Sequence, residues 1–226
     1  MRSYGQYCSV AKALDVIGER WNLLIVRELL LRGACRYTDL LNGLPGIATN
    51  LLADRLRELE HAGIVVREDA PPPIAATLFR LTPRGEQLEG VLVELGRWGV
   101  PYMVEPTGDE VFSSRWLAFP AELFLRDTEP DAPPVRIELR TGEEEPMTVE
   151  AAGGEVHARP GAAADPDLIL SSATPNVLLG VLSGRLALAD ARKRGLRHDG
   201  DVEVLRRLRP DTPADAAGGQ RAAAVS

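Results

Sequence analysis

Cysteine is close to absent: Cys8 and Cys35 are the only two in 226 residues. Two such thiols fit a reducing cytoplasm and cannot staple a disulfide framework. There is no Cys-x-x-Cys pair, and the three histidines, His61, His157 and His198, show no metal-ligand spacing, so no metal is expected. Lysine is almost missing, with Lys12 and Lys193 alone, and arginine carries the positive charge. The longest apolar run of the first half, residues 23–31, is broken by Arg27 and Glu28 and is too short to span a bilayer. The N-terminus lacks the apolar segment of a signal peptide, and the expected location is the cytoplasm. No phosphate-cradling glycine loop, nucleophile elbow or paired-carboxylate pattern is present. Glu143-Glu144-Glu145, beside Gly142 and Pro146, reads as a solvated turn. The chain is therefore read as not an enzyme, with no cofactor.

What is present is concentrated in residues 34–67. Leu52, Leu56 and Leu59, preceded by Ile47 and Leu51, recur at helical period, while Asn50, Asp54, Arg57 and His61 occupy the opposite face. Gly63 follows where a left-handed residue ends a helix at least cost. Ile64-Val65-Val66 then reads as a β-branched strand. Upstream, Tyr37, Leu40 and Leu41 mark a shorter helix that Gly43-Leu44-Pro45-Gly46 breaks. Thr38 or Thr49 is expected to cap its helix. Leucine periodicity alone fits simple core packing equally well. The next segment favours more: strands over 65–67 and 77–81 flank Glu68-Asp69-Ala70-Pro71-Pro72-Pro73-Ile74-Ala75-Ala76. That proline-rich hairpin suits a wing beside DNA better than a core. Helix, turn, helix and wing is the order of a winged helix-turn-helix, which lays its second helix in the major groove.

The residues also resemble a known family. Cys8-Ser9-Val10-Ala11, Ala13-Leu14-Asp15, Ile17-Gly18 and Arg20-Trp21 look like the opening of the HxlR family of winged-helix regulators. Arg27-Glu28-Leu29-Leu30, Arg36-Tyr37-Thr38-Asp39-Leu40, Leu44-Pro45-Gly46-Ile47, Leu52, Arg55-Leu56, Leu59-Glu60, Gly63-Ile64-Val65, Arg67 and Leu81-Thr82-Pro83-Arg84-Gly85 continue it. The match runs over residues 7–103 in chain order. It implies a homodimer joined through the first and last helices of the domain. Leu88, Val91, Leu92, Leu95 and Trp98 give a helix over 85–98 a wide apolar face, which fits a subunit contact or packing on its own domain. A dimer presents two reading helices to an inverted-repeat operator in double-stranded DNA.

Residue chemistry distributes the roles. Thr49 and Asn50 stand where this fold reaches base edges, Asn for adenine and Thr for a hydrogen bond or thymine methyl. Thr38, Arg36, Arg55 and Arg57 join them as DNA-contact candidates, with Arg67 and Arg80 flanking the wing. Arg55 lies near the buried edge of its helix, where pairing with Glu58 or another carboxylate is the alternative. Cys8 falls at the start of the first helix, where the macrodipole favours thiolate. Some regulators of the resembled family sense oxidants or electrophiles with this cysteine, although relatives commonly carry proline where Ser9 stands. The other reading is an inert thiol in a dimer core.

Charge separates the halves. Residues 1–104 hold 12 Arg+Lys and 12 Asp+Glu, leaving 14 and 21 for residues 105–226, so the second half carries the whole net −7. A neutral reader binds DNA only through clustered arginines, with strong salt sensitivity, and the acidic half does not read as a nucleic-acid surface. The expected organisation is a domain over 1–104, a second over 110–209 and a disordered Ala/Gly/Asp-rich tail over 210–226. The second domain reads as α/β: a helix over 115–125, strands over 135–139, 147–150, 155–158 and 167–171, and helices over 176–182 and 202–208.

Asp167-Leu168-Ile169-Leu170, Thr174-Pro175, Leu178-Leu179, Leu182-Ser183-Gly184, Leu188-Ala189, Gly195-Leu196, Gly200-Asp201 and Leu205 resemble the sterol-carrier-protein-like fold. The resemblance implies a sheet and helices around an apolar tunnel, hence an apolar small-molecule sensor. The fold class is then α+β, a winged helix-turn-helix followed by an α/β sterol-carrier-like domain. Trp116, Phe119, Phe124, Ile137 and Leu139 are the pocket candidates, with a solid core as the alternative. The acidic half argues against membrane docking. The leading reading is a dimeric DNA-binding regulator, by default a repressor. The alternative is an apolar-ligand or partner-binding protein whose winged helix serves only dimerisation.

Overall fold

A computed structural model describes residues 3–70, 76–102 and 110–210 of the chain. It divides into two compact units, Met1–Tyr102 and Met103–Ser226. In the first, α1 (Ser9–Ile17) and α2 (Asn22–Arg32) precede a two-residue strand β1 (Cys35–Arg36). Then come α3 (Tyr37–Gly43), α4 (Thr49–His61) and the hairpin β2 (Val65–Asp69) and β3 (Thr77–Leu81). Short α5 (Pro83–Glu86) and α6 (Glu89–Gly99) close the unit. This is the winged helix-turn-helix order. The sheet is antiparallel in order β1-β3-β2. Pro71, Pro72, Pro73, Ile74 and Ala75 of the expected wing lie outside the described residues.

One core accounts for these elements. Ile25, Val26 and Leu29 from α2, Leu40 from α3, Leu44 and Ile47 from the turn, and Leu52, Leu56 and Leu59 from α4 are all buried. The α4 leucines bury because they share the stripe that the period places inward. Gly63 stops α4 at φ +71: the Ile64 N–H bonds to the Leu59 carbonyl and the Gly63 N–H to the Glu60 carbonyl. Those two bonds are a Schellman ending. Thr82 then caps α5 by accepting from the Gly85 N–H at 3.1 Å while donating to the Gly63 carbonyl at 2.6 Å. Gly85 is required there, since a Cβ would meet the Ile64 carbonyl oxygen at 2.3 Å.

Several local expectations are corrected. Neither threonine caps its helix: Arg36 holds the N-cap position of α3, where the Asp39 carboxylate accepts its N–H at 2.8 Å, and Ala48 precedes α4. The single helix expected over 85–98 is two, parted at Gln87 and Leu88. Arg27 and Glu28 do more than interrupt an apolar run. Glu28 is fully buried, accepting from Arg27 at 2.9 Å and Arg32 at 3.0 Å, and Gly43 of α3 packs directly on its carboxylate.

The second unit is a five-stranded sheet of order β7-β6-β5-β8-β9. Its elements are α7 (Ala118–Phe124), β4 (Leu125–Asp127), β5 (Val135–Thr141), β6 (Met147–Ala152), β7 (Glu155–Pro160), β8 (Leu168–Ser172), α8 (Pro175–Leu182), α9 (Leu188–Lys193), β9 (Arg197–Gly200) and β10 (Leu208–Pro210). Strands β5 and β8 run parallel, and the other sheet neighbours antiparallel. Gly153 and Gly154, at φ +63 and +89, make the two-residue turn between β6 and β7, the geometry a primed hairpin turn needs. Ile137, Leu139, Met147, Val149, Leu168 and Leu170 share the buried face.

Here too the expectations shift. Residues 115–125 begin as a 3-10 turn, Ser114–Leu117, before α7. The helix expected over 202–208 is a 3-10 turn, Val202–Arg206, followed by strand β10, which pairs with β4. A buried Asp127–Arg207 pair locks that return strand, with Nε to Oδ1 at 2.6 Å and Nη2 to Oδ2 at 2.9 Å. The tail expected to be disordered lies, from residue 211 onward, outside the described residues.

Candidate nucleic-acid interface

Helix α4 divides its residues by face. With Leu52, Leu56 and Leu59 inward, Thr49, Asn50, Asp54, Arg57 and His61 are all exposed on the outer side. Asn50, Asp54, Arg57 and His61 recur at helical spacing and form one strip. No side chain caps the first turn of α4, so its N–H groups carry the positive end of the helix dipole to the surface. The Tyr37 hydroxyl donates to the Thr49 carbonyl and fastens α3 to that turn. Thr38 and Arg36 are exposed at the start of α3.

The arginines are not equivalent. Arg57 is 73% exposed and paired with Asp54. Such surface pairs are weak, so a phosphate can replace the carboxylate. Arg80 pairs across the wing with Glu68, and that bond raises the Arg80 pKa and lowers that of Glu68. Arg67 is exposed on β2 and makes no ion pair among the described residues. Arg55 differs most: its side chain is 16% exposed and holds Glu58 at 2.7 Å and Glu19 at 3.5 Å. That is the intramolecular pairing weighed for it from the sequence. Its partner Glu19, in the turn between α1 and α2, was not anticipated, because no local period links residues 36 positions apart.

Beyond α4, large apolar side chains lie open to solvent on two elements. Tyr7, Val10 and Leu14 around α1 are exposed, as are Val91, Leu95, Trp98 and Tyr102 in and after α6. Only Leu92 of α6 is buried. Cys8 is exposed at the N-cap of α1, where the Ala11 and then the Val10 N–H groups lower its thiol pKa. Cys35 is buried, and desolvation pushes its thiol up to about 11.

In the second unit, Ile137 and Leu139 are fully buried in β5, and Trp116 and Phe119 are half-buried. The side chain of Phe124 lies outside the described residues. Trp116 meets Phe112 edge-on, with ring centroids 6.4 Å apart. Among the described residues, no group of three His, Cys, Asp or Glu side chains is placed to hold a metal ion, and no helix is long and apolar enough to cross a membrane.

Residues 16–106 match the HxlR-like helix-turn-helix family. The HTH-type transcriptional regulator YodB of Bacillus subtilis is 35% identical over 99 residues, which span 44% of this chain and 86% of YodB. The HTH-type transcriptional regulator YvaP of the same organism is 34% identical over 92 residues, spanning 41% of this chain and 84% of YvaP. The solved structure of reduced YodB covers 43% of this chain and 96% of its own, at 31% identity and a TM-score of 0.39.

Proposed function

The chain belongs to the HxlR-like helix-turn-helix family, and from that premise we propose a homodimeric repressor that reads an inverted-repeat operator and answers to an apolar small molecule. The observation that carries the dimer is the exposure of Tyr7, Val10, Leu14, Val91, Leu95, Trp98 and Tyr102. Apolar side chains exposed together on surface helices mark an interaction site, and a second copy covering them would form a two-fold, self-complementary interface. Thr49 and Asn50 read base edges, and Arg57, Arg67 and Arg80 hold phosphates after releasing Asp54 and Glu68 where paired. Arg36 and Thr38 contact the backbone from α3. Arg55 serves mainly by positioning α4 through Glu58 and Glu19.

Residues 110–209 act as the sterol-carrier-like sensing domain in this reading. Support comes from a mixed sheet whose inner face buries Ile137, Leu139, Met147, Val149, Leu168 and Leu170. Cys8 adds a second input: an exposed thiol with a lowered pKa at the N-cap of α1 suits reaction with an oxidant or electrophile.

The test is fluorescence anisotropy on tiled duplexes flanking the protein's own gene, at two salt concentrations with nonspecific competitor. Tight binding to one tile is expected, with Asn50→Ala and Arg57→Ala each weakening it by roughly tenfold to a hundredfold while sedimentation still shows a dimer. A folded dimer that binds no tile would instead make the winged helix a dimerisation scaffold.

A further inference from the structure

The second half of the chain is acidic, yet residues 192–198 read Arg192-Lys193-Arg194-Gly195-Leu196-Arg197-His198, four cations without an acid. The fold gathers them. Arg192 and Lys193 end α9, Arg194 is its C-cap, and a tight turn leads into the edge strand β9 with Arg197 and His198. Arg192 reaches back to His198, Nη2 to Nε2 at 2.8 Å, tying the helix end to the edge strand, while Arg197, one residue earlier, leaves from the other face of that edge. All five side chains are exposed.

The corner concentrates unpaired charge. Elsewhere in the unit Arg115, Arg136, Arg140, Arg206 and Arg207 each hold a carboxylate, while Arg159 and Arg185 are exposed singly, without an ion pair among the described residues. In the corner Lys193 pairs with Asp190, and the nearest further acid in sequence is Asp199. Among the described residues, Arg192, Arg194 and Arg197 make no ion pair. A helix C-terminus favours a cation or two, and charge on an open sheet edge blocks unwanted pairing. Neither effect requires three arginines without acids in a unit that has acids in surplus.

We propose that this corner is a second phosphate-contacting surface, which takes up the DNA backbone flanking the operator. The inference rests on the DNA-binding reading above. Its chemistry is that of exposed, unpaired guanidiniums meeting phosphate oxygens. It also supplies what the first half lacks, since residues 1–104 balance to zero charge and backbone affinity comes from released counterions.

The test uses the full-length protein and two duplexes, the bound tile trimmed to the operator and the same operator with about 20 base pairs on each side, enough for roughly two further helical turns. Arg192→Gln, Arg194→Gln and Arg197→Gln are combined in one variant, whose fold is checked by circular dichroism. On the long duplex, the slope of log K against log salt should flatten by about 2.7, three phosphates at about 0.9 each. The loss of affinity between 50 and 200 mM salt then shrinks about forty-fold, four raised to that slope change. The short duplex should show no difference. Unchanged slopes on both lengths would overturn the proposal, and so would equal flattening on both. Loss of the dimer with DNA binding intact would assign the corner to a second copy instead. Wild-type protein that binds neither duplex would fail the regulator reading itself and the corner's role with it.

Discussion

Removing one member of the Asp127–Arg207 pair should unfold the second unit far more easily than most single substitutions. Asp127 is 7% exposed and Arg207 5%. The carboxylate accepts from Arg207 Nε at 2.6 Å, Arg207 Nη2 at 2.9 Å, the Glu129 N–H at 3.0 Å and the Gly154 N–H at 3.0 Å. Arg207 also donates to the carbonyls of Pro133, Ala132 and Ala151. Asp127→Ala leaves a buried guanidinium without its counter-ion and two N–H groups without acceptors, a loss of about 3–5 kcal/mol. That is a large share of the roughly 5–15 kcal/mol by which domains are stable. Asp127→Leu combined with Arg207→Met should recover most of it, because buried ion pairs exchanged whole for apolar side chains cost little.

The same pair predicts an acid dependence. Hydrogen bonds from Arg207, working against desolvation, hold the Asp127 carboxyl well below the usual carboxylate range. A depressed folded-state pKa adds stability that is present above the unfolded value of about 3.9 and lost as pH falls below it. Urea titrations across that range, with amide exchange in β4, β6 and β10 assigning the transition, measure both effects. A loss under about 1 kcal/mol for Asp127→Ala, the scale of an ordinary hydrogen bond, would refute the reasoning. Equal acid slopes in wild type and variant would do the same.

Further outcomes follow from the first unit. Trp98→Ser with Leu95→Ser should shift sedimentation from dimer to monomer while helical content is kept, since both side chains are exposed in the single chain. Gly63→Ala should cost about 1–2 kcal/mol in thermal unfolding, the penalty of a left-handed alanine. Gly85→Ala should cost more, because the Ile64 carbonyl must move as well. At neutral pH, iodoacetamide should alkylate Cys8 in the native protein and spare Cys35 until unfolding, as exposure and the two opposite pKa shifts require. Equal labelling rates, read by mass spectrometry, would contradict both assignments.

Local pattern by itself determined the reading head. The leucines of α4, the left-handed Gly63, the wing strands and the Gly153-Gly154 turn each follow from a period or a backbone preference within a few residues. The family resemblance over residues 7–103 rested on the same stretch. The outer strip of Asn50, Asp54, Arg57 and His61 was legible because a helix that buries one face must expose the other. Boundaries were less so: Ala48 and Arg36 hold cap positions that threonines nearby suggested, and a helix expected over 202–208 became a 3-10 turn and a strand.

What only the tertiary structure decided depends on partners distant in sequence. Leu205 and Leu208 look helical in isolation, but β10 exists because β4 offers it hydrogen bonds and Asp127 waits for Arg207, 80 residues away. β1 is two residues long and takes its conformation from β3. That Arg55 is paired with Glu19 as well as Glu58 is likewise visible only in the fold. The arginines of the α9–β9 corner, without ion pairs among the described residues, emerged in the same way. Composition counts charges, whereas pairing depends on which carboxylates the fold brings within reach.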